Sequence, residues 1–260
     1  MARPYVNKSM DRGLRILDLF DETTTHLTAS EIASAFRVTS ATIYPTLCTL
    51  VDHGYLIRDD RKRYRLGSKL LERGGQVLAQ LDVRRIAHPY LSDLARRRQV
   101  MADLAILYGT EVLYLERRVG HPTAMLGEVV GRRIPLHCTS LGKVLLAFLP
   151  TADRDHLVAS LKLKQYTPHT IVDRALLLEE LDRIRQRGYA EDVQEFHLGS
   201  FCVGAPVFGY DSHAVAAISL MLPIGEDIRT HSHIEEAQAV VETANAVSKE
   251  LGHTDQKDGQ

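Results

Sequence analysis

Apolar side chains near the start of the chain recur at the spacing of a helix. Leu14, Leu17 and Phe20 follow one another at intervals of three, so they share one helix face. Such a face packs on a neighbouring element while the opposite face meets solvent. The pattern predicts a first helix over residues 10–21, and Ser9 is the residue expected to cap it.

Two further helices are predicted, with a short turn between them. The run Thr28-Ala29-Ser30-Glu31 matches a capping box, in which a hydroxyl and a carboxylate satisfy each other's backbone amides. A third helix is expected from Thr39 or Ser40 to about His53, where Gly54 ends it. Two short helices at this separation have the spacing of a helix-turn-helix. A helical hairpin that only packs has the same spacing.

A short hairpin rich in basic residues follows the third helix. Residues 55–58 and 63–66 alternate in polarity around a polar turn, which predicts two paired strands. The hairpin carries five cations against Asp59 and Asp60, and these are Arg58, Arg61, Lys62, Arg63 and Arg65. A basic hairpin after two such helices is typical of a wing that contacts DNA phosphates, which favours the helix-turn-helix interpretation.

Polar side chains near the start of the third helix are the candidates for base contacts, because this part of a recognition helix enters the major groove. The predicted DNA-binding residues are Ser40, Thr42, Tyr44 and Thr46 on the helix, and Arg61, Lys62 and Arg63 on the hairpin. Hydroxyl groups bond to many base edges, so these side chains do not predict the operator sequence.

Helical and strand patterns mix in the rest of the chain, which predicts an α/β sensor-like domain. A linker helix is expected from Ser68, and Gly74-Gly75 within it is either a hinge or a place of close helix packing. Further helices are predicted over residues 83–98, from 140, over 174–186 and 234–251, and strands over 100–107, 111–117, 124–129, 190–194, 201–208 and 214–222.

The predicted organisation is a winged helix-turn-helix domain, a linker helix, a sensing domain and a short tail. These occupy residues 1–67, 68–82, 83–254 and 255–260. With a formal net charge of -1 over 260 residues, no overall field draws the chain to nucleic acid, so DNA affinity must come from local charge.

Cysteine usage and apolar runs indicate a cytoplasmic protein at the nucleoid. Cys48, Cys138 and Cys202 are widely spaced and form no CxxC pair, which argues against a disulfide framework or a structural zinc site. The longest apolar runs, such as residues 214–222, fall far short of the roughly 20 residues that span a bilayer. The first residues lack the apolar core of a signal peptide, and no membrane partner is expected.

Motifs along nearly the whole chain, from about Ser9 to Gly252, resemble those of the IclR family of bacterial transcription regulators. They are SEIA (30–33), ATIY (41–44), LCTL (47–50), GYL (54–56), RYRLG (63–67), VGRRIPLHCTSLGK (130–143), RGYAED (187–192), CVGAPV (202–207) and AAIS (216–219). The resemblance implies a GAF-like sensing domain and a homodimer, often a dimer of dimers, on a partly palindromic double-stranded operator. It also implies a small organic acid as effector, aromatic acids included, and either repression or activation. No cofactor is implied.

The resemblance places the effector pocket by position. Its lining would be Thr123, Ser140, Leu141, Asp192, Ser200, Cys202, Ser219 and Met221. Free amides where the 139–143 segment opens a helix suit a carboxylate, and binding by amides, without Arg or Lys, fits an otherwise apolar pocket. Asp192 either accepts a hydrogen bond from a ligand hydroxyl or ties down its own loop, and Cys202 is expected to be a wall.

Two departures from the family pattern change the expectations. Met221 stands where some members have Ser, and its adaptable apolar side chain favours a ligand with an apolar or aromatic body over glyoxylate or pyruvate. Pro45 stands where the family usually has Arg, and inside a helix it costs on the order of 3 kcal/mol. Either the first turn is kinked or 3₁₀-like, or the regular helix begins later than Ser40.

Three rival classes of protein are weighed against a regulator with an effector. No GxSxG, HExxH, Walker A or GxGxxG motif in its required setting points to an enzyme. Neither the thiols nor the histidines show ligand spacing for a metal- or redox-sensing regulator, and His231 and His233 would not share a helix face. The third rival, a regulator that responds to no small molecule, is compatible with the same sequence.

Overall fold

The computed structural model describes residues 7–21, 23–120, 130–223 and 233–254. The predicted strand at 124–129, the pocket candidate Thr123, His231 and the tail at 255–260 lie outside these ranges. Contacts between Cα atoms divide the chain into two units, Met1–Gln80 and Leu81–Gln260. A helical unit with a small sheet precedes a unit built on a larger sheet, so the predicted two-domain fold class is confirmed.

The first unit is a winged helix-turn-helix. Its elements are α1 (Lys8–Leu17), β1 (Leu27–Thr28), α2 (Ala29–Ala35), α3 (Ser40–Asp52), β2 (Leu56–Arg58), β3 (Arg63–Leu66) and α4 (Ser68–Ala79). The three strands pair antiparallel in the order β1-β3-β2. Ile16, Ile32, Ile43 and Leu47 are fully buried between the helices, which holds α2 and α3 in a fixed relation.

Side-chain caps determine where the first three helices begin. The capping box at Thr28 and Glu31 is present as predicted, and Thr39 caps α3 by accepting from the amide of Thr42. The expected cap of the first helix, Ser9, is wrong. Asn7 accepts from the amides of the second and third helical residues, so α1 begins before Ser9, and it ends at Leu17, short of residue 21.

The proline in the recognition helix does not delay its start. Helix α3 runs from Ser40 to Asp52 with Pro45 inside it, so the expectation of a later start is wrong. In its first turn the amide of Thr42 donates to the carbonyl of Thr39 at 3.0 Å and the amide of Ile43 donates to the same oxygen at 3.3 Å, which agrees with the expected 3₁₀-like character. Pro45 has no N–H for the carbonyl of Ala41. Its own carbonyl accepts from the hydroxyl of Thr49 at 3.0 Å. Burial of Ile43 and Leu47 on the opposite side supports the helix across this position.

The linker helix α4 runs without a break through its two glycines. A Cβ placed on Gly74 or on Gly75 would meet no atom within 4 Å. Close packing, one of the two explanations for this pair, therefore has no partner among the described residues. The side chains from Leu71 to Val77 are all exposed.

The second unit is a six-stranded antiparallel sheet with helices packed on it. Its elements are α5 (Asp82–Arg98), β4 (Met101–Tyr108), β5 (Glu111–Val119), β6 (Arg133–Pro135), α6 (Ser140–Ala147), α7 (Thr151–Ser160), α8 (Arg174–Arg187), β7 (Ala190–Val193), β8 (Ser200–Phe208), β9 (Ala214–Pro223) and α9 (His233–Glu250). The strand order is β6-β5-β4-β9-β8-β7. Strand β6 and helix α7 have no counterpart in the prediction from sequence.

The helices cover both faces of this sheet. Helix α6 is buried along its whole length and packs on the face that carries Ala105 and Ala217, with Leu177 and Leu181 of α8 in the same core cluster. Helices α5 and α9 pack against each other and against the central strands. Within the described ranges, every helix is too short or too polar to cross a bilayer.

Candidate functional site

The recognition helix presents most of its predicted DNA-contacting side chains to solvent. Ser40, Thr42 and Tyr44 are exposed on α3, and Tyr44 exposes 47% of its surface although it is aromatic. Ile43 and Leu47 on the other side are fully buried, and this burial sets the rotation of the helix. The exposed face is free to enter a groove.

Thr46 is placed differently from the other three candidates. It is only half-buried, and it lines a groove between α1 and α3 together with Met10 and Leu14. Its methyl group would lie 3.7 Å from a Cβ at Gly13. The structure therefore brings Ser40, Thr42 and Tyr44 to one surface and sets Thr46 beside α1.

The wing carries cations that differ in availability. Arg61 and Lys62 are exposed at its tip, and Lys62 has a left-handed backbone with φ 61°. Arg63 instead donates from Nε to Asp59 at 3.0 Å, and its Nη2 lies 2.9 Å from the same carboxylate. This bidentate pair closes the turn, so Arg63 has less freedom than its neighbours to contact a phosphate.

A cavity of about 120 Å³ lies between the large sheet and the start of α6. Seven of the eight residues predicted for the effector pocket line it: Ser140, Leu141, Asp192, Ser200, Cys202, Ser219 and Met221. Eight further residues complete its lining: Asp103, Tyr114, Arg117, Arg132, Ile134, Thr139, Phe196 and His197. Residues far apart in sequence therefore meet at one place.

Strand register explains why these side chains share a face. Asp192 pairs with Cys202, and Cys202 pairs with Met221, in one row across three strands. In the neighbouring row, Asp103 pairs with both Arg117 and Ser219. Residues opposite one another in antiparallel strands point to the same side of the sheet, so both rows form the floor of the cavity.

The start of α6 forms the wall above this floor. The Thr139 hydroxyl caps the helix by accepting from the amide of Gly142 at 3.1 Å. The amides of Ser140 and Leu141 donate to no other described residue. Together with the positive end of the helix dipole they suit an anion.

Two glycines allow α6 to approach its neighbours. A Cβ at Gly142 would lie 2.3 Å from the carbonyl oxygen of Leu136, and one at Gly204 would lie 3.3 Å from Ser140. A side chain at Gly142 would therefore displace backbone atoms, and one at Gly204 would press on the residue that opens the helix.

Charged side chains also line the cavity, although the sequence analysis expected an apolar lining with amide groups. Arg117 donates to the buried carboxylate of Asp103 from Nε and Nη2 at 2.6 and 2.8 Å. Arg132 is exposed at the rim, and its guanidinium pairs with no carboxylate of a described residue. Besides Asp192, the lining thus holds one neutralised ion pair and one cation without an ion-pair partner among the described residues.

Two acidic groups near the helix start are affected by burial. Burial raises the pKa of Asp192 to about 7, and its Oδ1 accepts from the amide of Glu195 at 2.7 Å. Asp192 therefore does tie down its own loop, one of its two expected roles. Glu195 forms a buried ion pair with Lys143 of α6, which connects this loop to the helix. Burial also raises the pKa of Glu195.

Two further polar side chains that line the cavity, Cys202 and His197, have shifted pKa values. Burial raises the pKa of Cys202 well above its usual value, so this cavity residue stays a thiol and is a poor nucleophile. His197 is exposed, and partial desolvation, with the charge of Arg132 as the smaller cause, lowers its pKa. In the part of the chain that the structure describes, no three His, Cys, Asp or Glu side chains are grouped to hold a metal ion.

Comparisons with known proteins agree with one another along the chain. The family model "Bacterial transcriptional regulator IclR C-terminal" matches residues 75–249, and "IclR helix-turn-helix domain" matches residues 9–60. The HTH-type transcriptional regulator XynR of Escherichia coli (strain K12) is 38% identical over 214 residues, which cover 82% of this chain and 85% of that protein.

Solved structures extend the similarity to the whole fold. The Thermotoga maritima IclR is 30% identical with a TM-score of 0.74, over 95% of this chain and 99% of that one. An IclR homologue from Microbacterium hydrocarbonoxydans, solved with 4-hydroxybenzoate, is 25% identical with a TM-score of 0.81, over 94% of this chain and 98% of that one.

Proposed function

The chain belongs to the IclR family of bacterial transcription regulators, and from this premise we propose that a small organic acid in the cavity controls its binding to an operator. The observation that carries the proposal is the cavity itself, where seven positions inferred from the family meet at two free amides of a helix start. An acid bound there changes DNA affinity only by its differential affinity for two arrangements of the protein.

The proposed DNA contacts are base contacts by α3 and phosphate contacts by the wing. Exposure of Ser40, Thr42 and Tyr44, and of Arg61 and Lys62, supports them. Because Thr46 lies beside α1 and Arg63 is paired with Asp59, we expect both to contribute less than the others.

We expect salt dependence to identify the wing's phosphate contacts. Arg61→Ala and Lys62→Gly should each reduce the magnitude of the slope of log affinity against log salt by about 0.9 for every DNA-bound wing, which is the value for one phosphate contact, and so by about 1.8 for a bound dimer. Glycine suits the left-handed backbone at residue 62. Fluorescence titration of a promoter fragment at several salt concentrations measures the slope. Arg96→Ala, which removes an exposed charge on α5, is the control, and an unchanged slope in both wing variants would contradict the assignment.

The proposed assembly is a homodimer or a dimer of dimers on a partly palindromic operator. Met10 and Leu14 on α1 expose 67% and 56% of their surfaces, and Leu71 on α4 exposes 79%. Large exposed apolar side chains that form a patch are typical of an interaction surface. Two-fold symmetry in the protein would match two half-sites on the operator.

The ligand that we propose is an acid whose carboxylate meets the amides of Ser140 and Leu141 or the guanidinium of Arg132. Ile134, Phe196 and Met221 offer apolar surface to an aromatic or aliphatic body. Asp192 and the Asp103–Arg117 pair offer partners to a polar substituent of the ligand. The 4-hydroxybenzoate found with the Microbacterium protein has this combination of groups.

Calorimetry combined with DNA binding tests the effector. The purified protein is titrated with 4-hydroxybenzoate, other aromatic acids, pyruvate and glyoxylate, and its affinity for the DNA upstream of its own gene is measured with and without each acid. We expect an acid with an apolar body to bind and to change DNA affinity by about 5- to 150-fold. Tight binding of pyruvate alone would refute the apolar body, and indifference of DNA binding to every acid would refute effector control.

A pH profile tests the environment of Asp192. The folded chain holds a proton on this carboxyl up to about pH 7, whereas an unfolded chain releases it near pH 4. The contribution of Asp192 to stability therefore falls as pH rises between these values and is constant above them. Asp192→Asn removes this dependence. Between these pH values the free energy of unfolding of the variant, measured with urea, should therefore rise relative to that of the natural chain by at most about 1.4 kcal/mol per pH unit. If the unfolding free energies of the variant and of the natural chain changed with pH in parallel, the raised pKa of Asp192 would be contradicted.

A further inference from the structure

Strand β5 carries one residue more than β4 along the stretch where the two strands pair. Ala105 pairs with Tyr114, but the residue that precedes it in β4, Leu104, pairs with Glu116. Leu115 is therefore an extra residue, a β-bulge. Such a bulge changes which face of the sheet the following side chains point to.

The bulge is the reason that Arg117 points into the cavity. Tyr114 and Arg117 both line it although they are three residues apart, whereas regular alternation would place residues 114 and 116 on one face and residue 117 on the other. With the extra residue, Arg117 reaches Asp103 and its guanidinium lies 5.4 Å from the centre of the Tyr114 ring.

A helix contacts the same bulge from the other side of the sheet. Arg84 of α5 donates from Nε to the carbonyl of Leu115 at 3.2 Å, and this Nε lies 3.3 Å from Glu116 Oε2. Glu116 is buried, its Oε1 accepts from Arg118 at 2.6 Å, and the ring of His88 lies 2.7 Å from that oxygen. One turn of α5 is thus held to the bulge by a hydrogen bond and a buried carboxylate.

The position of α5 in the chain gives this contact a role. Helix α5 begins at Asp82, directly after the linker helix α4 ends at Ala79 and the 80–81 connection, and Arg84 is in its first turn. The bulge therefore has a cavity side chain, Arg117, on one side and the first turn after the linker on the other. A bulge is also a local irregularity of the ladder, so a shift of β5 at Arg117 moves the Leu115 carbonyl.

We propose that Arg84 is a positioning residue that passes a change in the cavity, through the Leu115 bulge, to the start of α5 and so to the linker. The inference rests on the proposed function, because it concerns how the same cavity would act on DNA binding. It assigns the coupling to a single donor–acceptor contact that substitutions can remove or keep.

The test is a double-mutant cycle read by hydrogen exchange of the full chain. Asp103→Asn combined with Arg117→Gln changes the cavity side without leaving a buried charge unpaired. We expect it to raise exchange of the amides in the first two turns of α5 by about fivefold, the effect of one weakened hydrogen bond. In an Arg84→Met background the same change should produce no further rise in α5.

Two matched variants separate the contact from its surroundings. In Arg84→Gln the amide Nε2 stands where the arginine Nε stood, so the hydrogen bond to Leu115 is kept and the response of α5 should return. Arg85→Met removes an exposed pair with Asp82 on the same turn and should leave the response unchanged. Should the cavity variant lose its fold by circular dichroism, Ser219→Val, which adds volume beside Asp103, replaces it with the same expectation.

Two results would overturn the inference. One is an α5 that responds equally in the Arg84→Met and natural backgrounds, and the other is an α5 that does not respond to the cavity change at all. The cycle uses no ligand, so its outcome is separate from the acid titrations. If no acid alters DNA binding, the proposed function fails even where α5 responds.

Discussion

Gly142→Ala is expected to destabilise the second unit by about 3 kcal/mol, the upper part of the range for overpacking a core. The added methyl would lie 2.3 Å from the carbonyl oxygen of Leu136 and 2.5 Å from its Cα. Backbone atoms cannot rotate away as a side-chain end can, so the start of α6 must move. Because domains are stable by only about 5–15 kcal/mol, urea unfolding of the full chain should show a clear loss, and acid binding should weaken with it.

The matched control for this substitution is the same change in the linker helix. A methyl at Gly74 meets no atom of the described ranges within 4 Å, and alanine is favoured over glycine inside a helix by about 1 kcal/mol. Gly74→Ala should therefore be neutral or stabilising. A Gly142→Ala protein whose free energy of unfolding lies within about 1 kcal/mol of the natural chain would show that α6 has room to shift.

Lys143→Met is expected to cost about 3–5 kcal/mol, the range for removing one partner of a buried ion pair. Lys143 is 1% exposed and Glu195 is 7% exposed. Glu195 Oε2 accepts no hydrogen bond from the described residues, so among them the carboxylate has little else to stabilise its charge. Burial already raises the pKa of Glu195, and without the lysine its protonated form is favoured further. The deficit should therefore shrink as pH falls, and urea unfolding at several pH values measures it.

Two comparisons show whether the buried pair is the cause. Lys69→Met breaks a pair with Glu72 at 2.8 Å that is partly exposed on α4, and exposed pairs contribute about 0–1 kcal/mol. The double variant Lys143→Met/Glu195→Met removes both charges and should recover most of the loss. A single variant as stable at pH 7 as Lys69→Met would mean that water reaches Glu195.

The sequence was sufficient to predict a helix cap where the contact that forms the cap joins residues close together in the chain. The capping box at Thr28 and the cap at Thr39 involve residues three apart, and both were predictable. Asn7 and Ser9 are equally able to cap a helix, so helical spacing alone could not choose between them. Thr46 is polar and near the start of α3, and only the packing of α1 on α3 shows that it lies in the groove between them.

The charged pair in the cavity could not be predicted because it depends on the bulge. Regular pairing from the turn after Tyr108 would place Asp103 opposite Glu116, two like charges side by side. The extra residue brings Arg117 there instead. That conflict of charge is the one signal in the sequence for an irregular strand. The positions inferred from family resemblance meet at the cavity. Arg117 and Arg132 were not predicted as lining residues, because short sequence motifs do not show which residues of neighbouring strands pair.

The order of strands in the large sheet determines when each part of the protein can form during synthesis. Strand β9 is near the end of the chain yet pairs between β4 and β8 in the middle of the sheet, and it carries part of the cavity floor. At roughly 5–20 residues per second, a ribosome that has finished the wing needs about 7–30 s more to reach β9. During that interval the winged helix-turn-helix can already fold, whereas the cavity still lacks the residues that β9 supplies. A nascent chain can therefore complete its helix-turn-helix unit before the cavity proposed to bind an acid exists.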